Sequence, residues 1–586
     1  MTFATLTGLL IFCVALFMII ITAAGTILTV SSTTPAIPSE GVLKIDMASL
    51  TLTEQASEPD LTQLLQQNGE IIAPIGVLEA ARAIDAAAID PTIKYIFMKP
   101  DMVSGGFGHI EEFRKALEEF RKSGKAIVSY IENPTNGGYY LASVSDKIYM
   151  TSHLGCNSMF TGISSKMFFL KDILDKLGIG VQLIRHGKYK SAGEMYTRSS
   201  PSKENLQQNE ELINSIWDTW AAQISCSRNI TPETLNAMLE ELELASSEDF
   251  LKNNLVDELV TGEQLKQKLA DLYITDSYNN VKMIPLQDYS KMQSAIKTMK
   301  PKTKVAVLYA DGNIIEGDIK QQVAGDRYAG MIADIRKDTT IKALVLRVNS
   351  PGGSVLAAEK IKAELDILKE STPIVASYGN YAASGGYWIS ANADRIFTDA
   401  STLTGSIGVF SMIPNTGRML EDKIGINVTT INSHSHADMF SLMRPLDMSE
   451  EAYMQKTVED VYTRFTTLVS EGRDMPVAEV DAIAQGRVWS GVQATELGLA
   501  DQTGCLKDAI VFAAFSIEGV ESLADVDIVE YPKPRTTIDI LLESLGTQAN
   551  ILEDTPLENI SEAFRAWNPN EGVKTYARIP YEIILN

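Results

Sequence analysis

The sequence predicts an α/β protein made of two tandem copies of one unit, and three observations carry that expectation. The chain has 586 residues, too many for a single hydrophobic core. Apolar runs rich in β-branched residues alternate with amphipathic stretches of helical period, the pattern of parallel strands joined by helices. Three short motifs also recur: Asp90-Pro91-Thr92-Ile93-Lys94 with Asp338-Thr339-Thr340-Ile341-Lys342, Gly137-Gly138-Tyr139-Tyr140 with Gly385-Gly386-Tyr387-Trp388, and Asp146-Lys147-Ile148-Tyr149 with Asp394-Arg395-Ile396-Phe397. Every pair is 248 residues apart (338 against 90, 385 against 137, 394 against 146). An ungapped register over that distance is a mark of duplication.

The elements follow in order. Residues 1–39 carry no charge, and Leu9 to Val30 is almost wholly apolar, long enough to span a bilayer as a helix. A secretory signal has a shorter apolar region, a basic start and a small-residue cleavage site. Thr22-Ala23-Ala24-Gly25 offers such a site, but the apolar run continues past it, so residues 1–31 are expected to be a retained transmembrane anchor. The first basic residue is Lys44, so loop charge assigns no orientation. Residues 32–42, rich in Ser, Thr and Pro, read as a linker. A first unit over 43–264, a connecting segment over 265–302 and a second unit over 303–535 are expected, followed by an acidic, partly helical tail over 536–586. Within each unit a strand (95–98; 343–348) meets a Gly-containing loop. A helix (110–121; 355–368) and a second strand (126–130; 374–378) come next.

Composition narrows the function. Hydrophobic residues make up 45% and charged residues 22%, ordinary for a globular protein. The net charge of −24 argues against nucleic acid as a partner, because phosphate binding needs a basic surface. Cys13, Cys156, Cys226 and Cys505 are too scattered for a disulfide framework, and no Cys/His cluster has metal-ligand spacing. No metal and no cofactor are expected.

The chemistry centres on Tyr381-Ala382-Ala383-Ser384-Gly385-Gly386-Tyr387-Trp388. The strand over 374–378 leads into it, Gly379 and Asn380 read as turn residues, and a small-residue, helix-compatible stretch follows to about Asn392. Ser384 therefore sits where a strand becomes a helix, beside N–H groups with no intrahelical partner. A hydroxyl there can attack a carbonyl while the Gly385 N–H faces the oxygen that becomes negative. The plainer alternative is a serine that caps the helix. Asn349-Ser350-Pro351-Gly352-Gly353-Ser354 reads alone as a tight turn, but paired with Ser384 it offers a second donor. A nucleophilic serine needs a base. Of His109, His153, His186, His434 and His436, none lies in a repeat motif that would place it beside Ser384, and the last two sit in a polar, surface-like stretch. A Ser-His-Asp triad stays open at this point. Lysine, neutral when buried, is the other option, and Gly187-Lys188-Tyr189-Lys190-Ser191-Ala192 is the candidate stretch, although its composition alone reads as a solvated turn.

With Ser401-Thr402-Leu403-Thr404-Gly405-Ser406-Ile407-Gly408, these motifs resemble the signal peptide peptidase A family in its long, duplicated form. The likeness covers both repeats and the apolar N-terminal run. It implies two ClpP/crotonase-like units, a transmembrane helix, and a membrane-anchored serine endopeptidase with a Ser/Lys dyad. Such an enzyme degrades cleaved signal peptides and other apolar, unstructured peptides through an acyl-enzyme. The resemblance makes Ser384 the nucleophile, Lys190 the general base, Ser406 the residue that orients the lysine, and the N–H groups of Gly353 and Gly385 the oxyanion hole. It also implies a homo-oligomer, a tetramer, held by a single span in the bacterial inner membrane with its catalytic units on the periplasmic side.

The repeat adds to this independently. At offset 248, Ser384 falls on Asn136, so the first copy lacks the serine. Near the lysine the offset is 247, since Lys176-Leu177-Gly178-Ile179 matches Lys423-Ile424-Gly425-Ile426, and Lys190 falls on Ala437. Each copy keeps what the other lacks, which predicts one composite site per chain between the units. Two other functions share these features. A crotonase-like acyl-CoA enzyme uses the same oxyanion geometry without a serine nucleophile, and an inactive scaffold needs no site. The retained Ser384, Lys190 and apolar anchor argue against the first, and intact Ser384, Lys190 and Ser406 against the second.

Overall fold

The central strands are continuous apolar runs, as strands buried on both faces by helices must be. In this computed structural model the described residues are 40–55, 72–296, 300–533 and 576–578. The apolar run at 9–30 and most of the 536–586 tail lie outside them. Among the described residues no helix is long and apolar enough to cross a membrane.

In chain order the first half contributes β1 (Gly41–Asp46), β2 (Leu50–Thr53), β3 (Ala73–Gly76), β4 (Ile93–Lys99), β5 (Ile127–Ile131), β6 (Lys147–Thr151), β7 (Gly180–His186), β8 (Glu258–Val260) and β9 (Met283–Pro285). A parallel sheet of order β8-β6-β5-β4-β1-β9 forms its centre, and β2 pairs with β3 beside it. The helices Val77–Ile89 and Phe107–Arg121 pack against each other and bury Ile84, Ile110, Phe113 and Leu117 in the core of this sheet. The segment expected to connect the units carries β9 and the helix Leu286–Ser294, and β9 lies at the edge of this first sheet against β1.

The second half contributes β10 (Lys304–Asp311), β11 (Ile314–Ile315), β12 (Val323–Ala324), β13 (Ile341–Ser350), β14 (Gly352–Ser354), β15 (Ile374–Ala383), β16 (Arg395–Thr398), β17 (Leu403–Gly405), β18 (Val409–Asn415), β19 (Val488–Ser490), β20 (Gln502–Thr503) and β21 (Asp527–Tyr531), with β22 (Tyr576–Arg578) near the end of the chain. Its main sheet runs β19-β17-β15-β13-β10-β21, with β16 beside β15 and β20 beside β16. Helices Gly325–Lys337 and Val355–Lys369 pack together over one cluster of core side chains, and Leu506–Phe515 belongs to another. Gly379 and Asn380, expected to turn, instead continue β15. The strand changes neighbour there, pairing with β16 up to Tyr378 and with β17 from Tyr381. The reason is partnership: the Gly379 carbonyl accepts from Thr402 Oγ1 at 2.6 Å and Asn380 Oδ1 accepts from the His109 N–H at 3.2 Å.

The duplication is visible in hydrogen bonds. Asp90 Oδ1 accepts from the Thr92 N–H at 2.8 Å, and Asp338 Oδ1 from the Thr340 N–H at 3.0 Å. Asp146 and Asp394 each accept the first strand N–H, from Ile127 and Ile374. Tyr139 and Tyr387 donate to the carbonyls of Leu255 and Leu499.

A third sheet, of order β12-β11-β14-β22-β18-β7, joins the halves. β7 of the first half pairs antiparallel with β18 of the second along its whole length, from Val409 opposite His186 to Asn415 opposite Gly180.

Candidate active site

Ser384 stands between the end of β15 and the start of the helix Gly385–Ser390. Its φ of 57° is a left-handed value that serine rarely adopts. Two backbone bonds hold it there: its N–H donates to Gly405 at 2.8 Å and its carbonyl accepts from Trp388 at 2.8 Å. Its side chain makes no capping hydrogen bond, so the helix-cap reading fails. The hydroxyl turns to Lys190 instead, whose Nζ lies 2.7 Å from Ser384 Oγ.

Lys190 follows β7 and is carried across to the second half by the β7–β18 pairing. Its amine also lies 2.9 Å from Ser406 Oγ and 3.0 Å from the Ser406 carbonyl. All three residues are buried, Lys190 to 1% exposure and both serines to 0%. Burial with no opposing carboxylate pushes the Lys190 amine well below the ordinary lysine range. A neutral amine with a free lone pair, 2.7 Å from a hydroxyl, is positioned to take its proton.

Lys188 is different. In an extended segment it would face the same side as Lys190, but residues 187–189 form a turn. Lys188 is exposed, with its Nζ 5.2 Å from the centre of the Tyr189 ring. The histidines are engaged elsewhere or exposed. His109 binds Glu54 at 2.8 Å, His186 binds Glu459 at 2.6 Å, and His436 binds Glu450 at 2.9 Å. His434 contacts Ser433, and His153 is exposed.

Gly385, the first residue of the helix, is buried, and β14, with Gly353 at its centre, packs against that helix. A Cβ on Gly353 would lie 1.9 Å from the Ile314 carbonyl, so only glycine fits this approach. Asn136, the first copy's counterpart of Ser384, braces a loop instead, its Oδ1 accepting from the Thr161 and Gly162 N–H groups.

Sequence reasoning missed the support around Lys190. Arg185 Nη1 donates to the Lys190 carbonyl at 2.7 Å and pairs with the buried Glu194 at 3.2 Å. Burial alone would raise the Glu194 carboxyl; hydrogen bonds from Ser202 and the charge of Arg185 outweigh it and lower it. Gly486, at φ 77°, backs the lysine, and a Cβ there would sit 2.5 Å from Lys190 Cβ. A Gln-Gly pair in sequence signals only a loop.

A buried serine on a strand-to-helix turn, its hydroxyl 2.7 Å from a buried lysine amine, has the geometry that serine-hydrolase chemistry requires. Comparison with known proteins narrows the class. The sequence model of peptidase family S49 matches residues 119–274 and 366–516, one stretch in each repeat. The chain is 32% identical over 489 residues to Protease 4 of Haemophilus influenzae, covering 81% of this chain and 79% of that protein. It is 32% identical over 522 residues to Protease 4 of Salmonella typhi, covering 86% and 82%. To the chloroplastic serine protease SPPA of Arabidopsis thaliana it is 30% identical over 527 residues, covering 87% and 75%. The chain belongs to peptidase family S49 and is a serine protease.

Proposed function

We propose that this protein is a membrane-anchored endopeptidase that degrades cleaved signal peptides and other apolar, unstructured peptides by a Ser384/Lys190 dyad. The observation that carries the dyad is the 2.7 Å contact between a buried lysine amine and the serine hydroxyl, made by residues of different repeats. Neutral Lys190 takes the Ser384 proton as Oγ attacks the scissile carbonyl. Ser406 holds the amine in line, and the N–H groups of Gly353 and Gly385 receive the oxyanion. Protonated Lys190 then gives its proton to the leaving amine, which departs and leaves an acyl-enzyme on Ser384. Water, deprotonated by the same amine, attacks the acyl carbonyl and releases the second product.

Units over 43–264 and 303–535, each of ClpP/crotonase-like fold, supply the lysine and the serine respectively. The apolar run at 9–30 supports a single-span anchor in the bacterial inner membrane, with the catalytic units on the periplasmic side. A homo-oligomer, a tetramer, is part of the same reading. Ser384→Ala is expected to keep the parent's thermal unfolding while peptide turnover falls about 10⁶-fold, the scale of losing a serine nucleophile. A fluorophosphonate should label the parent at Ser384 and not the variant. A synthetic signal peptide should be cut and a folded protein spared. Near-normal turnover by Ser384→Ala would refute the dyad, and equal cleavage of both substrates would refute the substrate class.

A further inference from the structure

A cavity of about 380 Å³ opens at the seam between the two halves, and none of its lining residues belongs to the dyad or to the glycine loops beside it. Its volume falls within the ordinary range of small-ligand sites. The first half lines it with Glu54, just after β2, and with Leu78, Glu79 and Arg82 of the helix Val77–Ile89. The second half adds Tyr309 of β10 and Glu530 of β21. Glu54 is already matched by Arg347, at 2.6 Å, and Glu530 faces Arg82 at 3.4 Å. Glu79 has no cation among the described residues: its Oε1 accepts from Ser290 Oγ at 2.6 Å, and nothing described donates to its other oxygen. Tyr309 is the second unmatched group. It is 2% exposed and its ring packs in one core cluster with Leu78, yet its hydroxyl makes no hydrogen bond to a described residue. A buried phenol ordinarily finds a partner. The cavity therefore offers an apolar wall, an unmatched carboxylate and an unmatched phenol, which suit an apolar stem that ends in a cation.

We propose that this cavity holds a lysine or arginine side chain of the substrate, about six to eight residues from the bond that Ser384 attacks. The inference rests on the proposed peptidase function and adds a second point of recognition to it. The spacing comes from the fold. The Arg347 guanidinium donates both to Glu54, in the cavity wall, and to the Tyr378 carbonyl of β15. Ser384 lies six residues beyond Tyr378 (384 − 378), roughly 20 Å at the rise of a strand. An extended peptide covers that distance in about six residues. Secretory signals begin with a basic region followed by about 7–15 apolar residues. A basic end held in the cavity would place the cut within the apolar stretch.

The test uses two synthetic peptides of one apolar sequence that differ only in their first two residues, Lys-Lys in one and Gln-Gln in the other. The full-length parent is expected to show a KM about tenfold lower for the Lys-Lys peptide with kcat alike, the scale of one hydrogen bond to a charged group. Glu79→Gln keeps an acceptor for Ser290, and Tyr309→Phe keeps the ring. Both variants should turn over the Gln-Gln peptide as the parent does, which also shows that they fold, and should lose most of the preference. Agmatine, a free alkyl guanidinium, should at millimolar concentration raise the KM of the Lys-Lys peptide and leave the Gln-Gln peptide unaffected. Binding is also read without catalysis, in a Ser384→Ala background, by the anisotropy of labelled Lys-Lys peptide; adding Glu79→Gln should weaken it about tenfold. Equal KM values in the parent would overturn the proposal. So would a preference that survives both substitutions, which would come from the overall charge of −24 instead. Agmatine that altered turnover of the Gln-Gln peptide would make a free amine the occupant and overturn the reading of substrate. The peptidase function fails separately, through a parent that cuts neither peptide.

Discussion

Ser384, Lys190 and Ser406 are far apart in sequence, and that they meet was legible through the family motifs and, for Ser384 and Lys190, through the complementary losses in the two repeats. Local chemistry could not choose Lys190 over Lys188, because the choice depends on a turn at 187–189 that points one amine to solvent and the other into the interior. The left-handed Ser384 backbone was equally hidden, since it depends on bonds to Gly405 and Trp388. A buried amine carries a testable cost. Its folded pKa is depressed, whereas in the unfolded chain it is near 10.4. Between those values the unfolded state binds the extra proton, so the parent gains stability as pH rises and loses it as pH falls. Lys190→Met has no such group. The unfolding free energy of the parent is therefore expected to rise relative to Lys190→Met by about 1.4 kcal/mol per pH unit across that window. Denaturant titrations from about pH 6 to 10 measure it. A gap that does not change with pH would mean that Lys190 stays charged in the fold and cannot be a base.

At the scale of elements, the parallel strands and their helices were legible because each announces itself locally. Expected helices at 110–121 and 355–368 correspond to Phe107–Arg121 and Val355–Lys369. What stayed hidden is non-local. The β7–β18 pairing joins strands from different halves of the chain, and nothing in the alternation of either strand names its partner. The loop at 484–487 is another case. The Gln485 carbonyl accepts from the Tyr189 N–H at 2.9 Å, the Gly486 N–H donates to Ile407 at 2.8 Å, and Gly486 presses on the lysine backbone. Gly486→Ala places a methyl against Lys190 and strains a left-handed position. A shift of about 1 Å in a catalytic group can cost about 10²-fold. We expect kcat to fall on that scale with KM nearly unchanged and Ser384 labelling slowed in parallel. A variant that instead raised KM alone would show that this loop contacts substrate rather than positioning Lys190.

At the scale of the whole molecule, a composite site works only if the two halves dock in one register, and a buried ionic cluster lies at that seam. Arg347 of β13, fully buried, donates to both oxygens of Glu54 at 2.6 and 3.2 Å and pairs with Glu112 at 2.6 Å, both acids belonging to the first half. It also donates to the Tyr378 carbonyl at 2.9 Å, in the strand that leads into Ser384. Burial would raise the Glu54 carboxyl, but Arg347 and His109 outweigh it and hold it at about 2. Asp399 nearby goes the other way, raised well above the carboxylate range by burial and then by Glu112 and Glu111. Composition could not announce this cluster, because Glu54, His109, Glu112 and Arg347 look like ordinary charged positions until the fold brings them together. Removing the one arginine strands several acids in the interior, and breaking such a buried pair costs about 3–5 kcal/mol. Arg347→Met is expected to unfold at correspondingly lower denaturant and to lose peptidase activity at denaturant concentrations where the parent is still active. Glu54→Gln tests the sign. A carboxyl held at about 2 against an ordinary 4.5 contributes stability above pH 4.5 that is lost as pH falls towards 2. The parent should therefore lose stability between pH 4.5 and 2 more steeply than Glu54→Gln does. In a double-mutant cycle, Arg347→Met with Glu54→Gln should cost less than the sum of the two alone. Additive costs, with parallel acid profiles, would mean that the pair does not hold the halves in register and that docking rests on the apolar contacts between them.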